Sequence, residues 1–207
     1  MRLVCVSDTH AYHDAIHIPD GDVLVHAGDL TKRGTVEEVR AAANWLAKLP
    51  HKRKLVVAGN HDFLFERDPS LARALFANAT YLEDEAVEID GTHFYGSPYT
   101  PEFFDWAFML PRGAALRAKW SGIPKDVDVL ITHGPPHRVL DLTLHGDYAG
   151  CEELAKRVAE IKPRVHIFGH IHESYGVRDE GSTHFMNASI CTFDYRPKNA
   201  PLVFDLP

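Results

Sequence analysis

LVCVSDTH, residues 3–10, is the stretch from which the fold and the chemistry of this chain are best approached. Leu3–Val6 is a short, continuously apolar run, typical of a strand that is covered on both faces. Asp8 and His10 follow directly, and both residue types bind metal ions. Because they are two positions apart, we expect their side chains to point the same way from an extended backbone and to reach one ion.

Further apolar runs of strand length lead into clusters of the same kind. The runs are Val23–Val25, Leu55–Ala58, Val127–Ile131 and Val165–Phe168. The clusters that follow them are Gly28-Asp29, Gly59-Asn60-His61-Asp62, Thr132-His133-Gly134-Pro135 and Gly169-His170-Ile171-His172. Each motif alone is weak evidence. Since strands of an α/β sheet open at their carboxyl ends on a common crevice, the five motifs together predict one site.

The residue types in these clusters predict a pair of metal ions. The carboxylate of Asp29 has two oxygens, enough to bridge two ions, and Asn60 can ligate through its amide oxygen without adding charge. His170 and His172 are two positions apart, which suits neighbouring imidazoles that serve neighbouring ions. Nitrogen and oxygen donors without thiolates favour Mn²⁺, Fe or Zn²⁺ over Mg²⁺ alone.

Helical and hairpin patterns occupy most of the remaining chain. Thr35 with Glu38 forms a capping-box signature for a helix that runs to Leu49, and Asp90-Gly91 is a two-residue hairpin signal. Other predicted helices span about Pro69–Ala77, Gly113–Trp120 and Cys151–Ile161, and other short strands are Val87–Ile89, His93–Tyr95, Val177–Arg178, Thr183–Asn187 and Leu202–Asp205. We therefore expect two packed sheets with helices outside, in a single domain over residues 1–207.

Composition and charge exclude several classes of function. The net charge of −7 argues against broad binding to nucleic acid or to an anionic membrane surface. No apolar run has the length of a membrane helix, and the first residues lack the pattern of a signal peptide. Three widely spaced cysteines, Cys5, Cys151 and Cys191, are best interpreted as reduced thiols in a cytoplasmic protein.

Histidine is abundant, with fourteen residues in the chain. Five of them, at positions 10, 61, 133, 170 and 172, belong to the motifs above. Those outside the motifs, such as His26 and His166 within apolar strands, are interpreted as ordinary structural or surface residues.

The ordered motifs D-x-H, G-D, G-N-H-D, T-H-G and G-H-x-H resemble those of the calcineurin-like metallophosphoesterase superfamily. Within it, the chain resembles the metallophosphoesterase-domain-containing (MPPED) branch. This closer resemblance rests on Tyr95-Gly96-Ser97-Pro98, Leu110-Pro111-Arg112-Gly113, Thr132-His133-Gly134-Pro135-Pro136, Gly169-His170-Ile171-His172-Glu173 and Asn187-Ala188-Ser189, and on the tail from Pro201 to Pro207.

The resemblance implies an α/β fold, a four-layer α-β-β-α sandwich of two mixed sheets flanked by helices. It also implies two ligand sets that share one carboxylate. These sets are Asp8, His10, Asp29 and His172 for one ion, and Asp29, Asn60, His133 and His170 for the other. Arg33 matches in part an arginine that contacts phosphate in the phosphoprotein-phosphatase branch, although Lys32 departs from that pattern. The alternative interpretation is that Arg33 is an exposed residue on a solvated loop and has no functional role.

The expected mechanism is hydrolysis by solvent activated between two divalent ions. The resulting hydroxide attacks phosphorus in line, and His61 protonates the leaving oxygen as general acid. Asn60 would lie close to both metal and substrate. Asp62 either orients His61 or stabilises its own loop. The aromatic stretch at residues 97–110 either packs inside the protein or stacks on the substrate.

The substrate implied by the MPPED resemblance is a phosphodiester of nucleotide or cyclic-nucleotide type. A phosphomonoesterase or a phosphoprotein phosphatase is the alternative, because the same ions serve both reactions. A non-catalytic scaffold is a further alternative, although the ligand residues that such proteins lose are all present here. A homodimer is also possible, since dimers occur in the superfamily.

Overall fold

Residues 1–207 are described by a computed structural model as thirteen strands and five α-helices. The strands are β1 (Arg2–Val6), β2 (Val23–Ala27), β3 (Arg53–Val57), β4 (Thr80–Tyr81), β5 (Glu85–Ile89), β6 (Thr92–Ser97), β7 (Thr100–Pro101), β8 (Met109–Leu110), β9 (Val129–Thr132), β10 (Val165–Phe168), β11 (Gly176–Glu180), β12 (Thr183–Asn187) and β13 (Leu202–Asp205). The helices are α1 (Val36–Lys48), α2 (Phe63–Arg67), α3 (Pro69–Leu75), α4 (Ala114–Ser121) and α5 (Glu152–Ile161).

The strands form two mixed sheets and a small β7-β8 ribbon. The first sheet has the order β13-β1-β2-β3-β4, in which only the edge strand β13 is antiparallel to its neighbour. The second has the order β11-β12-β10-β9-β6-β5, with parallel central strands and antiparallel edge pairs. As predicted, β5 and β6 form a hairpin through Asp90 and Gly91, and both turn residues have positive φ.

Three apolar clusters separate four layers. The central cluster joins the facing sides of the two sheets, for example Cys5, Val25 and Leu55 with Ile131 and Ile167. A second cluster packs helices α1 to α3 on the outer face of the first sheet, and a third packs α4 and α5 on the second sheet. The predicted four-layer α-β-β-α sandwich is therefore confirmed.

Helix α1 begins as its sequence predicts. Thr35 Oγ1 accepts a hydrogen bond from the Glu38 backbone N–H at 3.2 Å, and the Glu38 carboxylate accepts one from the Thr35 N–H at 3.2 Å. This reciprocal pair satisfies donors that the first helical turn leaves without partners.

Four short elements were not predicted. Helix α2 directly follows the Gly59–Asp62 cluster, strand β4 follows α3, and strands β7 and β8 lie within the aromatic stretch at residues 97–110. Elements of two to five residues lack the repeated pattern on which periodicity depends.

The three cysteines are buried and unpaired. No helix has the length and apolar composition that crossing a bilayer requires.

Candidate metal centre

The five predicted motifs converge at one edge of the two sheets. Strands β1, β2 and β3 are mutually parallel, as are β9 and β10, so their carboxyl ends carry the motifs to the same edge. Hydrogen bonds between backbones join the loops there. The Ser7 N–H donates to the Ala188 carbonyl at 2.8 Å, and the Gly169 N–H donates to the His133 carbonyl at 2.9 Å. Parallel pairing within each sheet, together with the Ser7–Ala188 link between the sheets, brings together residues that are more than 160 positions apart, such as His10 and His172.

Asp8, His10 and His172 form the first group of donors. His172 Nε2 lies 3.2 Å from Asp8 Oδ1 and 3.2 Å from His10 Nε2. His10 Nε2 also lies 3.7 Å from Asp29 Oδ2. These four buried residues are the set that the resemblance implies for one ion.

Asn60, His133 and His170 form the second group. His133 Nε2 lies 2.9 Å from Asn60 Oδ1 and 3.5 Å from Asp29 Oδ1. The rings of His133 and His170 are 4.9 Å apart between centroids. Asp29 thus directs one carboxylate oxygen towards each group, the arrangement that a bridging carboxylate needs.

The donor atoms fit a divalent cation. Three imidazoles place Nδ1 against a backbone carbonyl: His10 against Thr31 at 3.3 Å, His133 against Ala27 at 2.9 Å and His172 against Thr192 at 3.1 Å. A carbonyl oxygen only accepts, so each Nδ1 carries the hydrogen and each Nε2 is directed inward as a ligand atom. This outer contact fixes the tautomer and orientation of metal-binding histidines.

Electrostatics at the cluster also favour a cation. Burial lowers the pKa of His170 to about 3 and that of His10 to about 4, which favours the neutral ring that metals require. Burial acts in the same direction at His133 and His172, but Asp29 and Asp8 outweigh it, raising the pKa of His133 to about 9 and that of His172 above its ordinary value. Burial alone would raise the pKa of the Asp8 carboxyl, yet His172 and His133 hold it well below its ordinary value. Ionised carboxylates at a buried site need compensating positive charge, which a divalent ion supplies.

The backbone at the ligands differs from the expectation of extended geometry. Asp8 has φ 53° and His10 has φ 41°, both left-handed, as are Asp29 and His170. The expectation was wrong because the chain turns sharply after β1, where His10 N–H donates to the Asp29 carbonyl at 3.0 Å. Both side chains still reach one site, through the turn and not through the alternation of a strand.

Two glycines of the motifs lie where the backbone passes very close to the carboxylates of Asp8 and Asp29. A Cβ on Gly169 would lie 2.0 Å from Asp8 Oδ2, and one on Gly59 would lie 2.2 Å from Asp29 Oδ1. Only glycine allows the backbone to pass so near the ligand carboxylates.

His61 lies beside the first group, and donor atoms of His61, His10 and Asp29 come within 4.8 Å of one another. Its Nδ1 donates to the Lys32 carbonyl at 2.8 Å, and its Nε2 is 3.9 Å from Asp29 Oδ2. The ring packs between His10 and Trp106, with centroids 4.7 and 4.3 Å away. These contacts fix an imidazole whose Nε2 faces the cluster.

Asp62 fits the second of its two predicted roles. Its carboxylate accepts hydrogen bonds from the N–H groups of Leu30, Thr31 and Gly59 and from Thr31 Oγ1. It therefore stabilises the loops instead of contacting the His61 ring. Its influence on His61 is indirect, because the loop that it holds supplies the Lys32 carbonyl.

His26 and His166 are buried structural residues, in keeping with their interpretation. His26 Nε2 is hydrogen-bonded to Thr9 Oγ1 at 3.0 Å, and His166 Nε2 to Thr132 Oγ1 at 2.8 Å. Each pair supports the backbone next to a ligand residue.

Several residues at the site were missed as participants. Ser189 Oγ has two acceptors for its one hydrogen, Asp8 Oδ2 at 2.9 Å and Asn187 Oδ1 at 2.8 Å. Tyr195 packs on His10 with ring centroids 4.8 Å apart. Ser189 follows β12, which runs parallel to β10 and ends at the same edge. The available signal was the motif Asn187-Ala188-Ser189, which carries part of the MPPED resemblance but was given no role at the site.

Two clefts open on the cluster. The basic cleft, about 630 Å³, is lined by residues that include His10, Lys32, Arg33, His61, Arg67 and Trp106. The rim cleft, about 330 Å³, lies between residues 101–106 and 143–149 and reaches Asp29, Asn60, His170 and His172. They share His61, Trp106 and Tyr195. The aromatic stretch divides into a buried part and an exposed part: Phe108 packs in the core, whereas Phe103 and Phe104 are exposed and line the rim cleft.

Known proteins resemble this chain in sequence over its whole length. The human Metallophosphoesterase domain-containing protein 1 is 45% identical over 231 aligned positions, which cover 100% of this chain and 71% of that protein. The UPF0046 protein K07C11.7 of Caenorhabditis elegans is 40% identical, with 100% of this chain and 76% of that protein covered.

Structural and family comparisons agree with this result. The crystal structure of TT1561 of Thermus thermophilus shares the fold with a TM-score of 0.60 at 16% identity, over 90% of this chain and 88% of that one. The sequence model of the calcineurin-like phosphoesterase family matches residues 1–174. Together with the clustered aspartates and histidines, these matches show that the chain is a metal-dependent phosphoesterase that belongs to the calcineurin-like phosphoesterase family, in its metallophosphoesterase-domain-containing branch.

Proposed function

We propose that the chain is a dinuclear phosphodiesterase that hydrolyses nucleotide-type esters, cyclic nucleotides included. One divalent ion would be held by Asp8, His10, Asp29 and His172, and the second by Asp29, Asn60, His133 and His170. Mn²⁺, Fe and Zn²⁺ suit this donor set. The two oxygens of Asp29, which face different ligand groups, support a shared carboxylate.

The observation that carries the diesterase proposal is the meeting of the basic cleft and the rim cleft at the ligand cluster. A phosphodiester has a substituent on each side of phosphorus, whereas a monoester has one. Two clefts that share His61, Trp106 and Tyr195 accommodate both substituents of a diester. The aromatic rings of Trp106 and Tyr195 provide faces for a nucleobase.

The chain's own residues would position the ester and move its proton. When bound, the two divalent ions supply a polarised water and neutralise charge on the transferring phosphoryl group. His61 is placed to protonate the leaving oxygen, since its Nδ1 is held by the Lys32 carbonyl and its Nε2 faces the cluster. Trp106 and His10 keep the ring in that orientation. Arg33, in the basic cleft, is placed to contact a phosphate oxygen.

A screen of esters with added Mn²⁺ tests the proposal. Bis(p-nitrophenyl) phosphate, 2′,3′- and 3′,5′-cyclic nucleotides, p-nitrophenyl phosphate and a phosphopeptide are compared, with the Asp29→Ala variant as blank. We expect the diesters to have the higher kcat/KM. A preference for p-nitrophenyl phosphate or for the phosphopeptide would overturn the diesterase proposal and indicate a phosphomonoesterase or a phosphoprotein phosphatase, respectively. No metal-dependent turnover of any ester, together with no bound metal, would indicate a scaffold.

A further inference from the structure

We propose that the basic cleft binds a second phosphate group, so that the preferred substrate is a nucleotide-type diester that carries a further phosphate beyond the scissile one. This inference rests on the proposed function, because it places the second phosphate next to a diester bound at the metal cluster. Three cations line this cleft, Lys32, Arg33 and Arg67, and only Arg33 matches a family pattern.

The three cations of the basic cleft are available to an anion. No carboxylate oxygen lies within 4.0 Å of the side-chain nitrogens of Lys32, Arg33 or Arg67. Arg112 and Arg117, in contrast, form ion pairs with Glu152 and Glu153 at 2.7 and 2.8 Å. A single carboxylate, Asp105, lines the basic cleft, and it forms no ion pair with the three. The cleft is therefore locally positive on a chain of net charge −7.

Aromatic rings hold two of these cations in place. Lys32 Nζ lies 4.1 Å from the centroid of the Tyr12 ring, and Arg67 Cζ lies 4.7 Å from that of Phe63. A ring occupies one face of a guanidinium and leaves N–H groups at its edge free to donate to phosphate oxygens. Cations fixed in advance lose less conformational freedom when an anion binds.

The basic cleft is also continuous with the catalytic machinery. It reaches His10 of the first ligand group and His61, and the Lys32 carbonyl accepts the hydrogen bond from His61 Nδ1. Its volume of about 630 Å³ lies within the range of small-molecule sites. A substrate whose scissile phosphate contacts Arg33 can therefore extend a second phosphate to Lys32 and Arg67 without leaving the protein surface.

A pair of matched chromogenic esters tests this subsite. Thymidine 5′-(p-nitrophenyl phosphate) is compared with the same ester phosphorylated at its 3′-oxygen. For the wild-type protein with Mn²⁺, we expect kcat/KM to be at least about tenfold higher for the 3′-phosphorylated ester, the gain expected of charge-assisted hydrogen bonds. In a Lys32→Ala/Arg67→Ala variant this ratio should fall to about one. Arg40→Ala, which removes one exposed charge from helix α1, should retain the wild-type ratio.

Binding measurements separate failure of the subsite from failure of the proposed function. Calorimetry of the Mn²⁺-loaded protein compares thymidine 3′,5′-bisphosphate with thymidine 5′-monophosphate, and we expect about tenfold tighter binding of the bisphosphate. Hydrolysis of both esters with equal kcat/KM would overturn the proposed subsite without contradicting the proposed diesterase activity. Turnover of neither ester would overturn the diesterase, and the calorimetric ratio alone would then decide the subsite. If circular dichroism shows the double variant to be unfolded, Arg67→Gln serves in its place, and an unchanged ratio in that variant overturns the proposal.

Discussion

The Nε2 atoms of His10 and His172 lie 3.2 Å apart, although each ring has its Nδ1 against a backbone carbonyl. The two Nε2 atoms therefore face each other, and lone pairs on both would repel unless a proton or a metal cation lies within reach of both. Asp8 and Asp29 border the same space and provide the negative charge that such a cation needs.

Replacement of His61, the proposed general acid, should lower the rate of hydrolysis without lowering metal binding. We expect His61→Ala to bind metal as the wild-type protein does and to lose roughly 10²–10⁴ in kcat, the usual contribution of a general acid. Stopped-flow or steady-state kinetics with metal analysis of the same samples measure both quantities. His17→Ala, which removes an exposed imidazole, is the control. Wild-type turnover by His61→Ala would remove this residue from the mechanism.

Asp62 should act through the loops that it holds. Asp62→Ala leaves the N–H groups of Leu30, Thr31 and Gly59 without their acceptor, and each such buried donor costs about 1–3 kcal/mol. We expect a lower free energy of unfolding in urea and, because the loop carries the Lys32 carbonyl, a lower kcat. The matched surface variant is Asp14→Ala, whose stability should be unchanged. Unaltered stability of Asp62→Ala would contradict this role.

The Ser189 hydroxyl should tune metal affinity from outside the ligand set. Its hydrogen is shared between Asp8 Oδ2 and Asn187 Oδ1, and loss of such an outer contact to a ligand typically lowers metal affinity about 10–100-fold. Competition with a fluorescent chelator compares Ser189→Ala with Ser121→Ala, in which the lost hydroxyl bonds only its own helix. Equal affinities in the two variants would show that the contact has no such effect.

Gly169 should tolerate no side chain. In Gly169→Ala the new Cβ would lie 2.0 Å from Asp8 Oδ2 and 2.3 Å from Ser7 Oγ, so the ligand carboxylate has to move. We expect loss of metal binding and of activity, measured by metal analysis after desalting. Gly122→Ala, with its nearest contact at 3.3 Å, is the control and should retain both. Full metal content in Gly169→Ala would contradict the close approach of the Gly169 backbone to the Asp8 carboxylate.

Much of this architecture was predictable because it depends on local patterns. Continuous apolar runs identified the buried strands, and Thr35 with Glu38 identified the start of α1. Strand ends and residue types together were sufficient to select the side chains of the cluster. Asp29 follows β2 and His133 follows β9, and the sheet topology brings these two side chains together, as their positions at strand ends predicted.

Other features depend on contacts between distant segments and had no local signal. The left-handed backbone at Asp8 and His10 is imposed by hydrogen bonds to the loop after β2, which lies about 20 residues away. The packing of Trp106 on His61 depends on where the β7-β8 ribbon folds back. The role of Ser189 depends on the parallel pairing of β12 with β10, which a single sequence does not reveal.

The most direct test of the account is the number of ions that the cluster binds. Purified protein is loaded with Mn²⁺, desalted and analysed by mass spectrometry of the metal, in parallel with Asp29→Ala. We predict about two ions per wild-type chain and at most one in the variant, because Asp29 directs one oxygen to each ligand group. A wild-type chain that retains no ion, or an Asp29→Ala variant that retains as many as the wild type, would contradict the shared dinuclear centre.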